Sequence, residues 1–228
     1  MGNALAAAFR EAGVAVDGPL GRGATGDGAS VVLLCVPDRA IAEAAALVAA
    51  GPVVGHVSAS APLELIAPHE RFSLHPLLSV VGAGASFNGA YCAIDANGPA
   101  GFEAARGLAA LLEMHPVVIQ TEQRALYHAA ASAASNFLIT VEGMAERLAE
   151  LVGLERAALA PLVLATVENW ARQGARAALT GPIARGDLVT ASRQRDAVAE
   201  AAPDLLPFWD LLAAETRELA RPPATDAA

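Results

Sequence analysis

The 228-residue sequence predicts an α/β protein in two parts, a mostly parallel sheet with its helices over residues 1–120 and an all-helical half over residues 121–228. Three observations predict it. Up to Gln120, short β-branched runs alternate with Ala-rich helical stretches, the pattern of βα units. From Glu122 onward strand-like runs nearly vanish, and Ala, Leu, Glu and Arg recur at helical spacing. The composition, 54% hydrophobic and 17% charged, supplies a sizeable core and excludes a disordered chain.

The elements follow in order. Residues 3–12 read as a helix closed by Gly13, a C′ glycine, and residues 14–16 as a strand. Residues 18–28 are a glycine-rich loop. The run VVLLCV at 31–36 is apolar on both faces, as a central parallel strand requires, and Pro37-Asp38 ends it and opens a helix over 39–50. Strands are expected at 53–57, 72–74, 91–94 and 117–120, with a helix at 102–113 before the last. Helices are expected at 122–151, 157–172, 176–179, 191–201 and 207–219, and a frayed tail from Pro222.

Charge and motifs exclude several functions. The net charge is −9 and every one of the 15 basic residues is Arg, with no basic stripe to meet a phosphate backbone, so no nucleic-acid partner is expected. No apolar run approaches the roughly 20 residues of a membrane span, and no charged segment followed by an apolar core marks export. A cytoplasmic protein is therefore expected, with Cys35 and Cys92 as reduced core residues. There is no CxxC, HExxH, Walker loop or G-x-S-x-G, so no metal site and no covalent mechanism is expected.

The opening MGNALAAAFREAGVAV starts inside a helix. A dinucleotide-binding βαβ unit runs strand, G-x-G-x-x-G, helix, second strand, and here the helix, its terminal Gly13 and the second strand are present, with Gly2 at the place of the third fingerprint glycine. The expectation is that the first strand and first two glycines lie outside this chain, which would leave cofactor affinity poor because that loop carries the amides that hold a pyrophosphate. The alternative is that Met1 is the true start and the helix merely packs on the sheet.

Four segments carry a family resemblance: VVLLCVPDRAI at 31–41, RFSLHPL at 71–77, ALYHAAASAASNFL at 125–138 and ALTGPIARGD at 178–187. Together they resemble the Rossmann-like oxidoreductases that carry a C-terminal helical domain of unknown function, relatives of 6-phosphogluconate dehydrogenase, pyrroline-5-carboxylate reductase and ketopantoate reductase. The sequence departs from that pattern at Val57-Ser58-Ala59-Ser60, where a Ser-Gly pair is usual, and after Asp187, where a histidine is usual.

Ligands of open α/β sheets bind at the carboxyl ends of strands. Val36, Pro37 and Asp38 lie at one such end and His56 and Ser58 at another, where they are expected to border the nicotinamide and its ribose; the alternative for Asp38 is a helix cap. Asp17 after the second strand suits an adenosine ribose diol, whereas Arg22 suits a 2′-phosphate. The resemblance leans to NADP, hence to Arg22, with NAD as the alternative.

His128, Ser132 and Asn136 are spaced i, i+4, i+8, which puts them on one stripe of an Ala-rich helix. Unpartnered burial of such groups costs about 1–3 kcal/mol each, so they should meet a ligand, water or one another. By the resemblance, His128 takes the place of a lysine as proton donor or carbonyl polariser, and Asn136 orients the substrate. His75 stands at a strand end, where it is expected to reach the same cleft and bind substrate, or else to serve as a structural hydrogen-bonder. Thr180 and Arg185 lie in a Gly-Pro turn, where Arg185 is a planar donor for a substrate carboxylate and Asp187 either braces it or caps the next helix. The expected activity is NAD(P)H-dependent reduction of a carbonyl or imine of a small carboxylic acid, with a 2-oxo acid such as ketopantoate suggested by the relatives, in a homodimer formed through the helical half. The alternatives are a non-catalytic nucleotide-binding or dimeric scaffold and a deazaflavin-dependent NADP oxidoreductase.

Overall fold

In the computed structural model, which describes residues 1–82 and 84–222, five strands form one sheet in chain order. They are β1 (Val31–Leu34), β2 (Val53–His56), β3 (Arg71–Pro76), β4 (Tyr91–Ala96) and β5 (His115–Val118). β1, β2 and β3 run parallel, β4 is antiparallel to β3, and β5 is parallel to β4. The mostly parallel sheet and the change to helix after it are therefore as the sequence pattern indicates, a Rossmann-like α/β fold with a helical C-terminal part.

The alternation within VVLLCV explains its double burial. Val31, Leu33 and Cys35 pack against one cluster, with Leu5 and Phe9 of α1 (Gly2–Glu11) and Ala105 and Ala109 of α3 (Pro99–Leu111); Val32, Leu34 and Val36 pack against the other, with Ile41 and Ala45 of α2 (Ile41–Leu47) and Ile66. α3 lies so close to the sheet that a Cβ at Gly101 would stand 2.5 Å from the Arg71 carbonyl oxygen. Glycine alone allows that approach.

Two expectations need correction. The run at 31–36 is not a central strand, because among the described residues β1 pairs only with β2; its burial comes from the helices on its two faces. Residues 14–16 form no strand, since nothing among the described residues pairs with them. Instead Val14 and Val16 pack on the core, and Arg10 donates hydrogen bonds to the carbonyls of Val16 and Gly18.

After the sheet come α4 (Arg124–Ser132), a π turn (Ala133–Phe137), α5 (Leu138–Glu150), α6 (Arg156–Gln173), α7 (Ala175–Ala178), α8 (Leu188–Ala201) and α9 (Leu206–Ala220). The tail beyond Pro222, expected to fray, lies outside the described residues. Two compact units divide at Asn136 and Phe137, so α4 belongs with the sheet. The second unit has its own core of Met144, Val198, Ala202 and Leu205, braced by ion pairs Arg147–Asp204 and Arg195–Asp210, both 2.8 Å. No described helix is long and apolar enough to cross a membrane.

Candidate functional site

One row of residues crosses the sheet in register, Leu34, His56, Ser73 and Asp95 on successive strands. Register partners share a face, so the apolar surface of β1 gives way to three polar side chains, with His75 two residues further along β3 on the same face. The other face carries Phe72 and Leu74 and is wholly apolar there. A strand that alternates Arg71-Phe72-Ser73-Leu74-His75 thus aims its polar groups at one side by the period of two alone.

His56 is fully buried. Its Nδ1 accepts the Ser58 backbone N–H at 3.2 Å, which leaves the ring proton on Nε2, a buried atom without a hydrogen-bond partner among the described residues. Burial, with the nearby Arg124 charge, pushes its pKa down to about 4, against the pull of Asp38. The imidazole is neutral at neutral pH.

The loops that follow β1 and β2 are tied together. Asp38 Oδ2 accepts hydrogen bonds from the hydroxyls of Ser58, at 2.8 Å, and Ser60, at 3.0 Å, and the Ser58 oxygen accepts the N–H groups of Ser60 and Ala61. Asp38 makes no side-chain helix cap. The Ser58 hydroxyl therefore has its one proton committed to Asp38, and its contribution is to shape the loop. Pro37 precedes a single 3-10 turn, and Val36 packs against the α2 core. Gly2 opens α1 against the end of β1, where an added Cβ would meet Cys35 Cβ at 3.0 Å; the first turn of α1 has no side-chain cap and no acidic residue. Burial pushes the Cys35 thiol up to about 11.

Above the polar row lies Arg124, only 3% exposed. Its guanidinium donates to the carbonyls of Ser58 at 3.3 Å and Ala59 at 3.4 Å and to the Ser73 hydroxyl, while Nε, which has no hydrogen-bond partner among the described residues, is 3.9 Å from Asp95. Tyr127, one turn on, places its hydroxyl 2.7 Å from His75 Nδ1. Burial pushes the Tyr127 phenol up to about 12, and burial, then the neighbouring His128 and Arg124, push His75 down to about 4. His128 itself is exposed beside this pair.

Ser132 ends α4, half-buried, and Asn136 falls inside the π turn. That wider turn shifts every residue after Ser132 relative to the stripe counted on a regular helix. Thr180, Arg185 and Asp187 belong to the second unit: Thr180 and Arg185 are exposed, and Asp187 accepts the Thr190 N–H at 3.0 Å and caps α8. Arg22 and Asp17 are exposed in and before the glycine-rich loop. Sequence reasoning singled out neither Arg124, Tyr127, Ser73 nor Asp95. A signal was available for two of them, since Arg124 and Tyr127 stand four and one residues before His128 on the same Ala-rich helix. Among the described residues no cluster of His, Cys, Asp and Glu could hold a metal ion.

The family model described as a domain of unknown function (DUF2520) matches residues 90–216. No curated protein matches the sequence. Among solved structures the chain is similar to protein TM1727 from Thermotoga maritima, with TM-score 0.76 and 25% identity over 84% of this chain and 79% of that one. A candidate NADP oxidoreductase, BF3122 from Bacteroides fragilis, matches with TM-score 0.69 and 21% identity over 83% and 76%. The pyrroline carboxylate reductase of Plasmodium falciparum, solved with NADP bound, matches with TM-score 0.59 and 9% identity over 96% and 94%. These likenesses establish the fold.

Proposed function

The chain belongs to the family defined by the DUF2520 domain, and on that premise we propose that it is a nicotinamide-dependent reductase acting on the carbonyl or imine carbon of a small carboxylic acid. The observation that carries the reading is the neutral imidazole and phenol groups gathered at the carboxyl ends of parallel strands, with the exposed His128 beside them. The NADP-bound reductase among the solved structures of this fold supports the choice of cofactor.

The residues at the start of α1 fit a dinucleotide. A side chain at Gly2 would crowd Cys35, and no side chain caps the first turn of α1, the place where the pyrophosphate of a dinucleotide would sit. Pro37 and Asp38, with the loop shaped by Ser58, border the nicotinamide end, and Val36 backs them. Arg22 would take a 2′-phosphate, which makes NADP the preferred form and NAD the alternative. When bound, the nicotinamide supplies hydride to the substrate carbon.

Reduction also consumes a proton at the oxygen or nitrogen. His128 serves as proton donor or carbonyl polariser, Asn136 orients the substrate, and Ser132 supports them. Arg185 and Thr180 are assigned to the substrate carboxylate on their chemistry alone. A 2-oxo acid such as ketopantoate fits these groups.

The partner in this reading is a second copy of the chain. α6 has no buried residue, and Leu162, Leu164 and Trp170 are 66%, 64% and 55% exposed on it. So much apolar surface on one helix marks an association surface, and a homodimer through the helical half covers it. The activity test is loss of NADPH absorbance with a panel of 2-oxo acids and cyclic imines. Turnover with at least one supports the reading; no turnover with any, together with no thermal stabilisation by NADPH, overturns it.

A further inference from the structure

The contact between His75 and Tyr127 supports the reductase reading, but no chemical step above uses it. His75 lies on β3 and Tyr127 on α4, 52 residues apart in sequence, with Nδ1 and Oη separated by 2.7 Å. The rings meet edge to face, 5.6 Å between centroids and 88° between planes. Both side chains are half-buried. Anchoring α4 does not depend on this contact alone, because Arg124 fixes the helix start one turn earlier through Ser58, Ala59 and Ser73.

Neutral phenol beside neutral imidazole allows two arrangements of one proton. Either Tyr127 donates to His75 Nδ1, or Nδ1–H donates to the phenol oxygen and the hydroxyl proton is free to reach a third group. The second arrangement makes Tyr127 a donor whose oxygen is held in place from behind. Burial raises the cost of a phenolate there, and the positive charge of Arg124 offsets part of it.

We infer that Tyr127 hands the proton to the oxygen of the substrate carbonyl, with His75 as the positioning residue that holds its hydroxyl. This rests on the reductase reading and refines it, leaving His128 as the polariser of the carbonyl. As the carbonyl carbon takes hydride, the π electron pair moves onto oxygen. The O–H bond of Tyr127 breaks and the O–H bond of the alcohol forms. The phenolate accepts Nδ1–H of His75 until a proton from water restores the phenol.

The test compares Tyr127→Phe and His75→Asn with the parent chain. Tyr127→Phe is expected to lower kcat by about 10² to 10⁴, the ordinary worth of a general acid, while KM and stabilisation by NADPH change little. His75→Asn is expected to lower kcat less. A second measurement keeps the hydroxyl in place: with Tyr91→Phe as background, Tyr127 is the one tyrosine left of two, and replacing it by a polyfluorinated, more acidic tyrosine is expected to move the alkaline limb of the kcat–pH profile to lower pH. A merely structural hydroxyl would not move that limb. Retention of kcat within about threefold in Tyr127→Phe, or an unmoved limb, overturns the donor role while turnover of the parent upholds the reductase. No turnover by the parent overturns the reductase reading, and the donor role with it.

Discussion

Arg124→Met removes a guanidinium from a site that is closed to water. The Arg124 side chain is 3% exposed and its ion partner Asp95 13%. Breaking a buried pair by deleting one partner costs about 3–5 kcal/mol, because the remaining charge is left without compensation. Here the ion pair itself is long, 3.9 Å to Asp95, and Asp95 Oδ1 keeps the Ala96 N–H at 2.9 Å, so the low end, about 3 kcal/mol, is expected. For a chain of this size that is a fall in Tm of about 6–12 °C. Thermal and urea unfolding followed by circular dichroism measure it. Arg124→Lys keeps the charge and loses the planar fork, and is expected to fall between the parent and Met. A second consequence separates this from simple loss of packing: with the cation gone, the His75 pKa rises toward its ordinary value, which nitrogen-15 imidazole shifts report. A loss below about 1 kcal/mol with an unmoved His75 would refute the buried-cation account, since such a loss lies in the range of an exposed ion pair.

Stability should depend on acid through His56 and His75. Both have folded-state pKa values near 4 against an ordinary 6.5, so the folded protein binds fewer protons; the stabilisation is full above about 6.5 and declines as pH falls from 6.5 toward 4. Urea midpoints across that window measure the decline, and His56→Gln should flatten it. The double substitution Leu164→Glu with Trp170→Glu should convert the proposed homodimer to monomer in size-exclusion chromatography with light scattering, without changing the far-ultraviolet dichroism; a parent that runs as a monomer, or an unchanged mass, would show that the exposed face of α6 is not a contact between copies.

Much of the architecture is legible because it is written in local period. The run at 31–36 is buried on both faces, as its unbroken apolar character says, yet its place at the edge of the sheet depends on pairing partners that no local pattern encodes. The same reason explains residues 14–16, which have strand composition and, among the described residues, no strand beside them. At the site, the polar stripe on α4 drew attention to His128, but its depth comes from Arg124 and Tyr127, whose partners Ser73 and His75 lie 51 and 52 residues away. The π turn at Ala133–Phe137 was equally hidden, since Ala, Ser and Asn suit either helical form. Ser58 shows the opposite failure: a hydroxyl at a strand end looks available in sequence, and in the fold Asp38 has taken its proton.

Hydride transfer itself can be followed directly. With NADPH deuterated at the transferring position and a 2-oxo acid that the chain turns over, the product alcohol should carry one deuterium on its carbinol carbon, visible by mass spectrometry. Unlabelled alcohol, or deuterium released to water with no reduced acid formed, would contradict a reductase.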